Sequence, residues 1–204
     1  GLDDANYTSI FDPVLCELMY SWFSAKGSQI VDPFAGGSVR GVVASMLDRK
    51  YWGGELRGEQ VEANKKQGVE LCPSDQDLQW IEGDSMKTLE DAPDADFVFS
   101  CPPYGDLEVY SDDPDDISTM EYHTFKAAYS RIILKAVSKL KQDRFACFVI
   151  GDFRDKKGFY RNFVSDTIQA FENAGARLYN EAILVTSVGS ASMRVSKQFE
   201  AGRK

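Results

Sequence analysis

The stretch Val31-Asp32-Pro33-Phe34-Ala35-Gly36-Gly37-Ser38 decides the fold that we expect for this chain. It completes a short apolar strand at 29–32 and precedes a helical pattern over 39–48. Glycines directly after a first strand let the backbone pass close to a ligand, beside the N-terminus of the next helix. A tight turn that binds nothing needs the same glycines. The stretch therefore predicts a strand–turn–helix unit and leaves its ligand open.

The same pattern continues on both sides of this turn, because short apolar runs alternate with helical patterns. This alternation is typical of a mostly parallel α/β sheet flanked by helices. The first helix is expected near Asp12, an N-cap residue followed by Pro13 at the first helical position. The predicted strands lie at 29–32, 51–56, 78–82, 96–100, 145–150 and 177–188. The other predicted helices cover 39–48, 60–69, 122–140 and 162–174, and a long polar loop covers 105–120.

Residues 189–204 are a polar tail and contain no seventh apolar strand. We therefore expect either a truncated chain or a sheet that lacks its usual last strand. An unpaired sheet edge of this kind would be a liability in a monomer.

Composition excludes several classes of function. The chain has 204 residues, 43% of them hydrophobic, which suits one folded domain. Its single histidine and four scattered cysteines disfavour zinc sites and Ser-His-Asp triads, so no metal is expected. No apolar run approaches the ~18 residues of a membrane span, and the opening residues 1–10 do not resemble a signal peptide. We expect a cytoplasmic protein with reduced thiols and no membrane contact.

The net charge of −9 is unevenly distributed along the chain. Residues 1–121 contain 8 basic and 25 acidic residues, whereas residues 122–204 contain 15 basic and 7 acidic residues. A basic face on the second part could meet phosphates although the whole chain is acidic. Ordinary solvated surface charge is the alternative interpretation.

Two acidic residues follow the second and third predicted strands. Glu55 lies about 20 residues after the glycines, where a carboxylate can accept both hydroxyls of a ribose. Asp84 follows strand three, where it could accept a hydrogen bond from an adenine amino group. A helix cap or a solvated acid is the alternative for each, and Glu59 is a second candidate for the ribose role. Together with the glycine turn, they predict a nucleoside-binding crevice.

The segment Ser100-Cys101-Pro102-Pro103-Tyr104 follows the fourth predicted strand. Two prolines fix the backbone and remove two donors, which leaves carbonyl groups free to accept from a substrate amino group. The ring of Tyr104 offers a stacking face for a planar base.

With these two motifs, the chain resembles the S-adenosylmethionine-dependent amino methyltransferases. Within them it is most similar to prokaryotic and bacteriophage DNA methyltransferases that act on adenine N6 or cytosine N4. Residues 32–37 look like the cofactor motif of that family, and residues 100–104 look like its (Asp/Asn/Ser)-Pro-Pro-Tyr catalytic motif. The resemblance covers roughly residues 7–188. It implies a Rossmann-like class I methyltransferase fold, S-adenosylmethionine as cofactor and DNA as partner, in restriction-modification or regulation.

The resemblance also implies roles for the matching residues. Tyr104 would stack on the target base, while the Pro102 carbonyl and the Cys101 side chain would receive its amino hydrogens; Pro103 completes this catalytic motif. Glu55 would bind the ribose and Asp84 the adenine, and the helix that follows Phe11 would cover the methionine end. The residues implied around the cofactor are Phe11, Asp32, Phe34, Ala35, Gly36, Gly37, Glu55 and Asp84.

Cys101 departs from the family pattern, which has Asp, Asn or Ser at this position. A thiol is a weak acceptor, so it would polarise an amino group poorly. Backbone carbonyls could do most of the orienting, the protein could be a weakened or inactive relative, or the substrate could differ. A covalent cytosine-C5 mechanism is disfavoured, because in that family the nucleophilic cysteine follows its proline.

Two charged segments near Tyr104 in the predicted fold have opposite consequences for nucleic-acid binding, since one is basic and the other acidic. The candidate nucleic-acid contacts follow strand five, interleaved with aromatic residues: Arg154, Lys156, Lys157 and Arg161. The loop after Tyr104 carries six acidic residues, and we expect a mobile surface loop that points away from the site, with a cofactor lid or a partner-binding segment as the alternatives. These are Asp106, Glu108, Asp112, Asp113, Asp115 and Asp116.

The sequence thus predicts one methyltransferase domain over 1–204. A cofactor-covering helix occupies 1–27, the cofactor-binding half 28–100, the catalytic half 101–188 and the polar tail the rest. No separate target-recognition domain is expected, so a homodimer or a specificity subunit would supply sequence preference. The alternatives are an RNA base (guanine-N2 type) methyltransferase, a cofactor-binding scaffold and a small-molecule methyltransferase.

Overall fold

A computed structural model describes residues 10–72, 77–105 and 116–185. Within them, five parallel strands form one sheet in the order β3-β2-β1-β4-β5. The strands are β1 (Gln29–Asp32), β2 (Lys50–Glu55), β3 (Leu78–Glu82), β4 (Ala95–Ser100) and β5 (Leu140–Phe148). The helices are α1 (Pro13–Phe23), α2 (Val39–Met46), α3 (Gly58–Leu71), α4 (Ser85–Thr88), α5 (Tyr122–Lys139) and α6 (Phe163–Asn173), with a 3₁₀ helix at Ile117–Thr119. The predicted Rossmann-like α/β fold is confirmed.

Alternating side chains of the central strands build a core on each face of the sheet. Phe97 and Phe99 of β4 pack in a cluster with Tyr20 of α1 and with residues of α2 and α3. Val98, between them in sequence, packs in the other cluster with Phe125 of α5 and with residues of α6. The two layers of helices therefore leave the ends of the strands as the accessible part of the sheet.

Helix α1 begins as predicted. The Asp12 carboxylate accepts a hydrogen bond from the Val14 amide at 2.8 Å, and Pro13 occupies the first helical position. This cap satisfies an amide that the first turn leaves without an intrahelical partner.

The predicted bounds of β5 are wrong at both ends, since the strand begins at Leu140 rather than 145 and ends at Phe148 rather than 150. Leu140 pairs with Ala95, and the register then shifts before Phe145 pairs with Phe97. Asp143, with a φ of 56°, lies in this irregular part. The polar stretch 141–144 therefore belongs to the strand although its composition does not indicate one.

The predicted sixth strand is wrong over 177–185, where the structure has no strand, and 186–188 lie outside the described residues. The apolar residues of this stretch favoured a strand, but a strand exists only where a neighbour completes its ladder. Tyr179 and Ile183 are exposed, although the Tyr179 ring lies 5.1 Å from that of Phe145 on β5. Strand β5 is thus an edge of the described sheet.

None of the described helices combines the length and the apolar character that a bilayer span requires.

Candidate active site at the carboxyl ends of the strands

Four of the predicted site segments meet at one edge of the sheet. Asp32 ends β1, Glu55 ends β2, Asp84 follows β3 and Cys101 follows β4. The sheet is parallel, so these ends lie on the same side. Strand order reverses at β1, which lies between β2 and β4, and open α/β sheets bind their ligands at such a point.

Asp32 is a buried junction between three strands. Its Oδ2 accepts hydrogen bonds from Arg40 Nε at 2.6 Å and from the Tyr51 hydroxyl at 2.7 Å. Its Oδ1 accepts from the Ser100 hydroxyl at 2.5 Å and from the Phe34 amide at 3.1 Å. The residue has no exposed surface, so one carboxylate joins β1, β2, β4, α2 and the glycine turn. That Asp32 also lines the cofactor stays a prediction.

Arg40 extends this junction to the carbonyl groups of the turn. Its Nη2 donates to the Phe34 carbonyl at 2.5 Å and to the Ala35 carbonyl at 3.0 Å. Burial is the largest single influence and acts to lower the pKa of Arg40, but the charge of Asp32, its hydrogen bond and the nearby Tyr51 together raise that pKa above its ordinary value. The guanidinium therefore remains charged and fixes the shape of the turn.

Phe11 lies against this guanidinium from the side of α1. Its ring centroid is 4.6 Å from Arg40 Cζ, and it meets the Phe99 ring edge-on at 5.9 Å. The structure thus brings Phe11 next to the residues of the turn, whereas its predicted contact with the cofactor is not tested.

The glycine turn faces open space. Gly36 has a φ of +53°, in the left-handed region that favours glycine, and a Cβ atom on Gly36 or Gly37 would meet no atom within 4 Å. The buried Asn64 donates to the Gly36 carbonyl at 2.7 Å, and Glu55 accepts from the Gly36 amide at 2.9 Å. Helix α3 and the end of β2 therefore support the turn from one side and leave the other side accessible.

Glu55 lies beside this open turn, with 11% of its side chain exposed. It also accepts hydrogen bonds from the Arg57 amide at 3.1 Å and from Arg57 Nε at 3.3 Å. Burial raises the pKa of Glu55, although the hydrogen bonds from Arg57 and Gly36 act against the shift. Glu59, the second candidate for a ribose contact, is exposed in the first turn of α3.

Asp84 caps the short helix α4, which was one of its two interpretations. Its Oδ1 accepts from the Met86 amide at 2.8 Å. The next residue, Ser85, donates its hydroxyl to the Pro33 carbonyl and so ties α4 to the glycine turn. Asp84 therefore lies near the turn, and its contact with an adenine stays a prediction.

The segment 101–104 runs out of β4 directly after the buried Ser100. Pro102 is buried, and Cys101 and Tyr104 are half-buried. The Tyr104 ring packs edge-on against Phe153 at 6.1 Å and Phe163 at 6.0 Å. These two neighbours fix the ring while part of its surface remains accessible.

The basic segment forms a tight hairpin after β5. Asp155 Oδ1 accepts from the amides of Lys157 and Phe159, both at 2.9 Å. These backbone hydrogen bonds, above all the one from Phe159, lower the pKa of Asp155. Arg154 is occupied within the hairpin, because its guanidinium lies 4.0 Å from the Tyr160 ring centroid and donates to the Gly158 carbonyl at 2.7 Å.

The other three predicted cations share one surface. Lys156, Lys157 and Arg161 line an open depression of about 300 Å³ together with Glu121 and Asp155. The hairpin connects to segment 101–104, since the Arg161 amide donates to the carbonyl of Phe153, the residue that contacts Tyr104. The structure thus places these three cations on one surface that is connected to Tyr104 through Phe153, with the Arg161 guanidinium 4.7 Å from the Tyr122 ring centroid. Contact of this surface with nucleic acid is not tested.

The acidic loop lies outside the described residues over 106–115. Its last member, Asp116, is buried and caps the 3₁₀ helix by accepting from the Ser118 amide at 2.8 Å. For Asp116, therefore, the prediction of an exposed, mobile loop is wrong. Within the part of the chain that the structure describes, no cluster of histidine, cysteine or acidic side chains could hold a metal ion.

Sequence reasoning missed the residues that organise the site: Arg40, Tyr51, Asn64 and Ser100. Ser100 had a usable signal, because it ends β4 and must lie beside the end of β1 in a parallel sheet. The side chains of Arg40 and Asn64 reach back from helices, and no periodicity in the sequence indicates such contacts.

Comparisons with known proteins identify the fold and no more. No protein-family model and no curated protein matches the chain. Among solved structures, it is similar to a magnesium protoporphyrin IX methyltransferase (ChlM) from Synechocystis with bound SAM, at 12% identity and a TM-score of 0.59. This match covers 86% of our chain and 74% of the other.

Two further solved structures are similar to the chain in fold, again at low sequence identity. TrmN from Thermus thermophilus is 15% identical with a TM-score of 0.54, over 70% of our chain, which spans only 39% of TrmN. A proposed RNA methyltransferase from Pyrococcus horikoshii is 18% identical with a TM-score of 0.54, over 79% of our chain and 66% of the other. At these identities the comparisons establish the class I methyltransferase fold.

Proposed function

We propose that this chain binds S-adenosylmethionine at the ends of β1, β2 and β3 and methylates an exocyclic amino group of a DNA base. The observation that carries the proposal is the junction at Asp32. There, a single buried carboxylate connects the turn suited to a cofactor with the Pro-Pro-Tyr segment suited to an amino group.

The residues beside the turn fit this cofactor. The open side of Gly36 and Gly37 leaves room for a ligand close to the backbone. The Glu55 carboxylate borders that space and can accept hydrogen bonds from ribose hydroxyls. Asp84 uses one oxygen as a helix cap, and none of the described residues donates to the other, which suits an adenine amino group.

When bound, S-adenosylmethionine would supply an electrophilic methyl group on its sulfonium sulfur; transfer of that group to the amino nitrogen would leave S-adenosylhomocysteine and release one amino proton to solvent. The chain contributes mainly position and electrostatics. Tyr104 stacks on the base, and the Pro102 carbonyl accepts from its amino group. Cys101 contributes a weaker acceptor. Cytosine N4 and adenine N6 are equally compatible with this arrangement.

The hairpin supports a nucleic-acid substrate. Lys156, Lys157 and Arg161 present positive charge on a surface that is connected through Phe153 to Tyr104. Phosphate contacts of this type position a strand without reading its sequence. A second copy of the chain or another subunit would supply sequence preference.

RNA is the second candidate substrate. The similarity to the proposed RNA methyltransferase from Pyrococcus horikoshii favours it, and a base in a single strand is recognised by the same stacking.

Transfer of tritium from labelled S-adenosylmethionine to DNA and to RNA, assayed side by side, tests the proposal. We expect label in DNA with the wild-type chain and with Tyr104→Phe, and little label with Tyr104→Ala. Label in RNA alone would favour the second candidate. Cofactor binding without label in either pool would contradict both and favour the scaffold interpretation.

A further inference from the structure

We propose that Ser100 is a positioning residue that fixes segment 101–104 at a set distance from the glycine turn. It does so with one hydroxyl group, which hydrogen bonds to Asp32 and to the backbone of Phe34. Its effect on methyl transfer rests on the proposed function, whereas its effect on segment 101–104 can be measured without any substrate.

The Ser100 hydroxyl links the end of β4 to the glycine turn. It donates to Asp32 Oδ1 at 2.5 Å and accepts from the Phe34 amide at 3.2 Å. Ser100 is fully buried, so water does not compete for these hydrogen bonds. Because Cys101 is the next residue in the chain, any displacement of Ser100 is passed directly to the catalytic segment.

The near end of segment 101–104 depends on this anchor because of its composition, whereas Phe153 and Phe163 contact the Tyr104 ring at the far end. Pro102 and Pro103 have no N–H groups and cannot donate backbone hydrogen bonds. The β-ladder next to the segment ends with the hydrogen bond from the Val149 amide to the Ser100 carbonyl at 2.9 Å. Ser100 is therefore the last residue that sheet pairing can hold before the two prolines.

The glycine turn has anchors of its own. Arg40 binds the carbonyls of Phe34 and Ala35, and Asn64 binds the carbonyl of Gly36. Loss of the Ser100 hydroxyl should therefore displace segment 101–104 and leave the turn in place. This asymmetry distinguishes a positioning role from a general contribution to folding.

Tyr51 offers a matched control. Its hydroxyl donates to the same Asp32 carboxylate at 2.7 Å and is as deeply buried as Ser100. Burial, reinforced by the charge of Asp32, raises the pKa of Tyr51, so this hydroxyl stays protonated. Tyr51→Phe and Ser100→Ala each remove one donor from Asp32, but Tyr51 lies within β2 and has no covalent neighbour in segment 101–104.

The experiment measures alkylation of Cys101 by iodoacetamide in the ligand-free chain, with peptide mass spectrometry. Cys72, at the end of α3 and also half-exposed, serves as the internal reference. We expect Ser100→Ala to change the Cys101 rate relative to Cys72 roughly tenfold, the equivalent of one hydrogen bond to a charged group. Tyr51→Phe and Ser100→Thr, which keeps a hydroxyl, should stay within about twofold of wild type.

Binding and transfer give the second readout. Ser100→Ala should lower kcat about tenfold to a hundredfold, because small misplacements of reacting groups are costly. The KM for S-adenosylmethionine, and the Kd for S-adenosylhomocysteine by calorimetry, should change less than about threefold. Should Ser100→Ala fail to fold, Ser100→Cys, of similar size but with a much weaker donor, replaces it in the kinetic and calorimetric measurements, where its added thiol does not interfere.

Each outcome decides the proposal. If Cys101 is alkylated at the wild-type rate in Ser100→Ala, the proposal is overturned. It is also overturned if Ser100→Ala and Tyr51→Phe change the alkylation rate of Cys101 equally, because that would indicate a merely structural role. A wild-type chain that transfers no methyl group would contradict the proposed function only. In that case the alkylation rates still decide the role of Ser100.

Discussion

Among single residues, Cys101 differs from the catalytic motif that this chain resembles, and this difference has the largest expected effect on methyl transfer. The catalytic motif that this chain resembles has an oxygen or amide side chain at that position. A thiol accepts hydrogen bonds weakly, whereas a carboxylate forms charge-assisted ones. The Pro102 carbonyl and the Tyr104 ring do not depend on this position. The proposed site would therefore keep its other contacts to the base and have one weak acceptor.

Replacement of Cys101 should consequently raise activity. We expect Cys101→Asp, and to a smaller extent Cys101→Ser, to increase kcat for methyl transfer several-fold. Cys72→Ser, at a half-exposed thiol outside the site, should change nothing. Steady-state kinetics with DNA would check this, and no gain from either Cys101 variant would favour a non-catalytic scaffold.

Glu55 gives the clearest pH dependence. Because burial raises its pKa above the ordinary 4.5, the carboxylate becomes protonated at a higher pH than an exposed glutamate. An ionised Glu55 is the better acceptor for ribose hydroxyls, so affinity for S-adenosylmethionine should fall as the pH drops through that raised pKa. Calorimetry between pH 5 and 8 measures this affinity. Glu55→Gln should weaken binding of S-adenosylmethionine about tenfold and remove the pH dependence.

The raised pKa of Glu55 also affects the stability of the fold. A carboxyl group with a raised pKa in the folded state binds its proton more tightly there than in the unfolded chain. Its contribution to stability is present below the unfolded pKa and is lost as the pH rises through the folded pKa. Glu55→Gln should therefore leave the melting temperature at pH 7 unchanged or higher while it weakens cofactor binding. A clear loss of stability would mean that Glu55 has a structural role.

At the scale of elements, the buried ion pair between α2 and β1 shapes the site. Arg40→Met would leave Asp32 buried without its charged partner, which typically costs about 3–5 kcal/mol. Lys26→Met breaks an ion pair with Asp48 whose side chains are 79% and 65% exposed, so water screens it and its loss should cost far less than the loss of Arg40. Urea unfolding of both variants checks this difference. Similar costs for the two would mean that Arg40 does not anchor the turn.

The hairpin after β5 should govern the salt dependence of DNA binding. The double variant Lys156→Glu, Lys157→Glu removes two cations from the depression that the hairpin forms with Glu121. We expect weaker binding and a shallower slope of log K against log salt, by about 0.9 per lost contact on duplex DNA. The same charge change at Lys65 and Lys66, exposed on α3, is the control. Equal effects of both pairs would contradict a localised interface.

Elements differ in how well the sequence predicted them, for physical reasons. Strand β3 was predictable from its apolar residues, and the start of α1 from the Asp12 cap followed by Pro13, because both signals are local. The irregular start of β5 and the absence of a strand over 177–185 depend on pairing partners, which local patterns do not contain. The junction at Asp32 was hidden for the same reason, since its donors come from β2, β4 and α2.

At the scale of the whole molecule, the acidic and basic parts of the sequence have different roles in this account. Glu55 binds the Gly36 amide of the open turn, and the cations of the hairpin are connected to Tyr104 through Phe153. An acidic protein can bind DNA in this way, because local potential rather than net charge governs the encounter. Cofactor and nucleic acid would then approach the junction from different sides.

Methylation of an amino group of a DNA base by this chain can be measured by nucleoside mass spectrometry of DNA and RNA from cells that express it, with Tyr104→Ala as the matched control. We expect N4-methylcytosine or N6-methyladenine in DNA, and we expect this signal to disappear with Tyr104→Ala. Methylated nucleosides confined to RNA, or an identical DNA signal from the Tyr104→Ala variant, would contradict it.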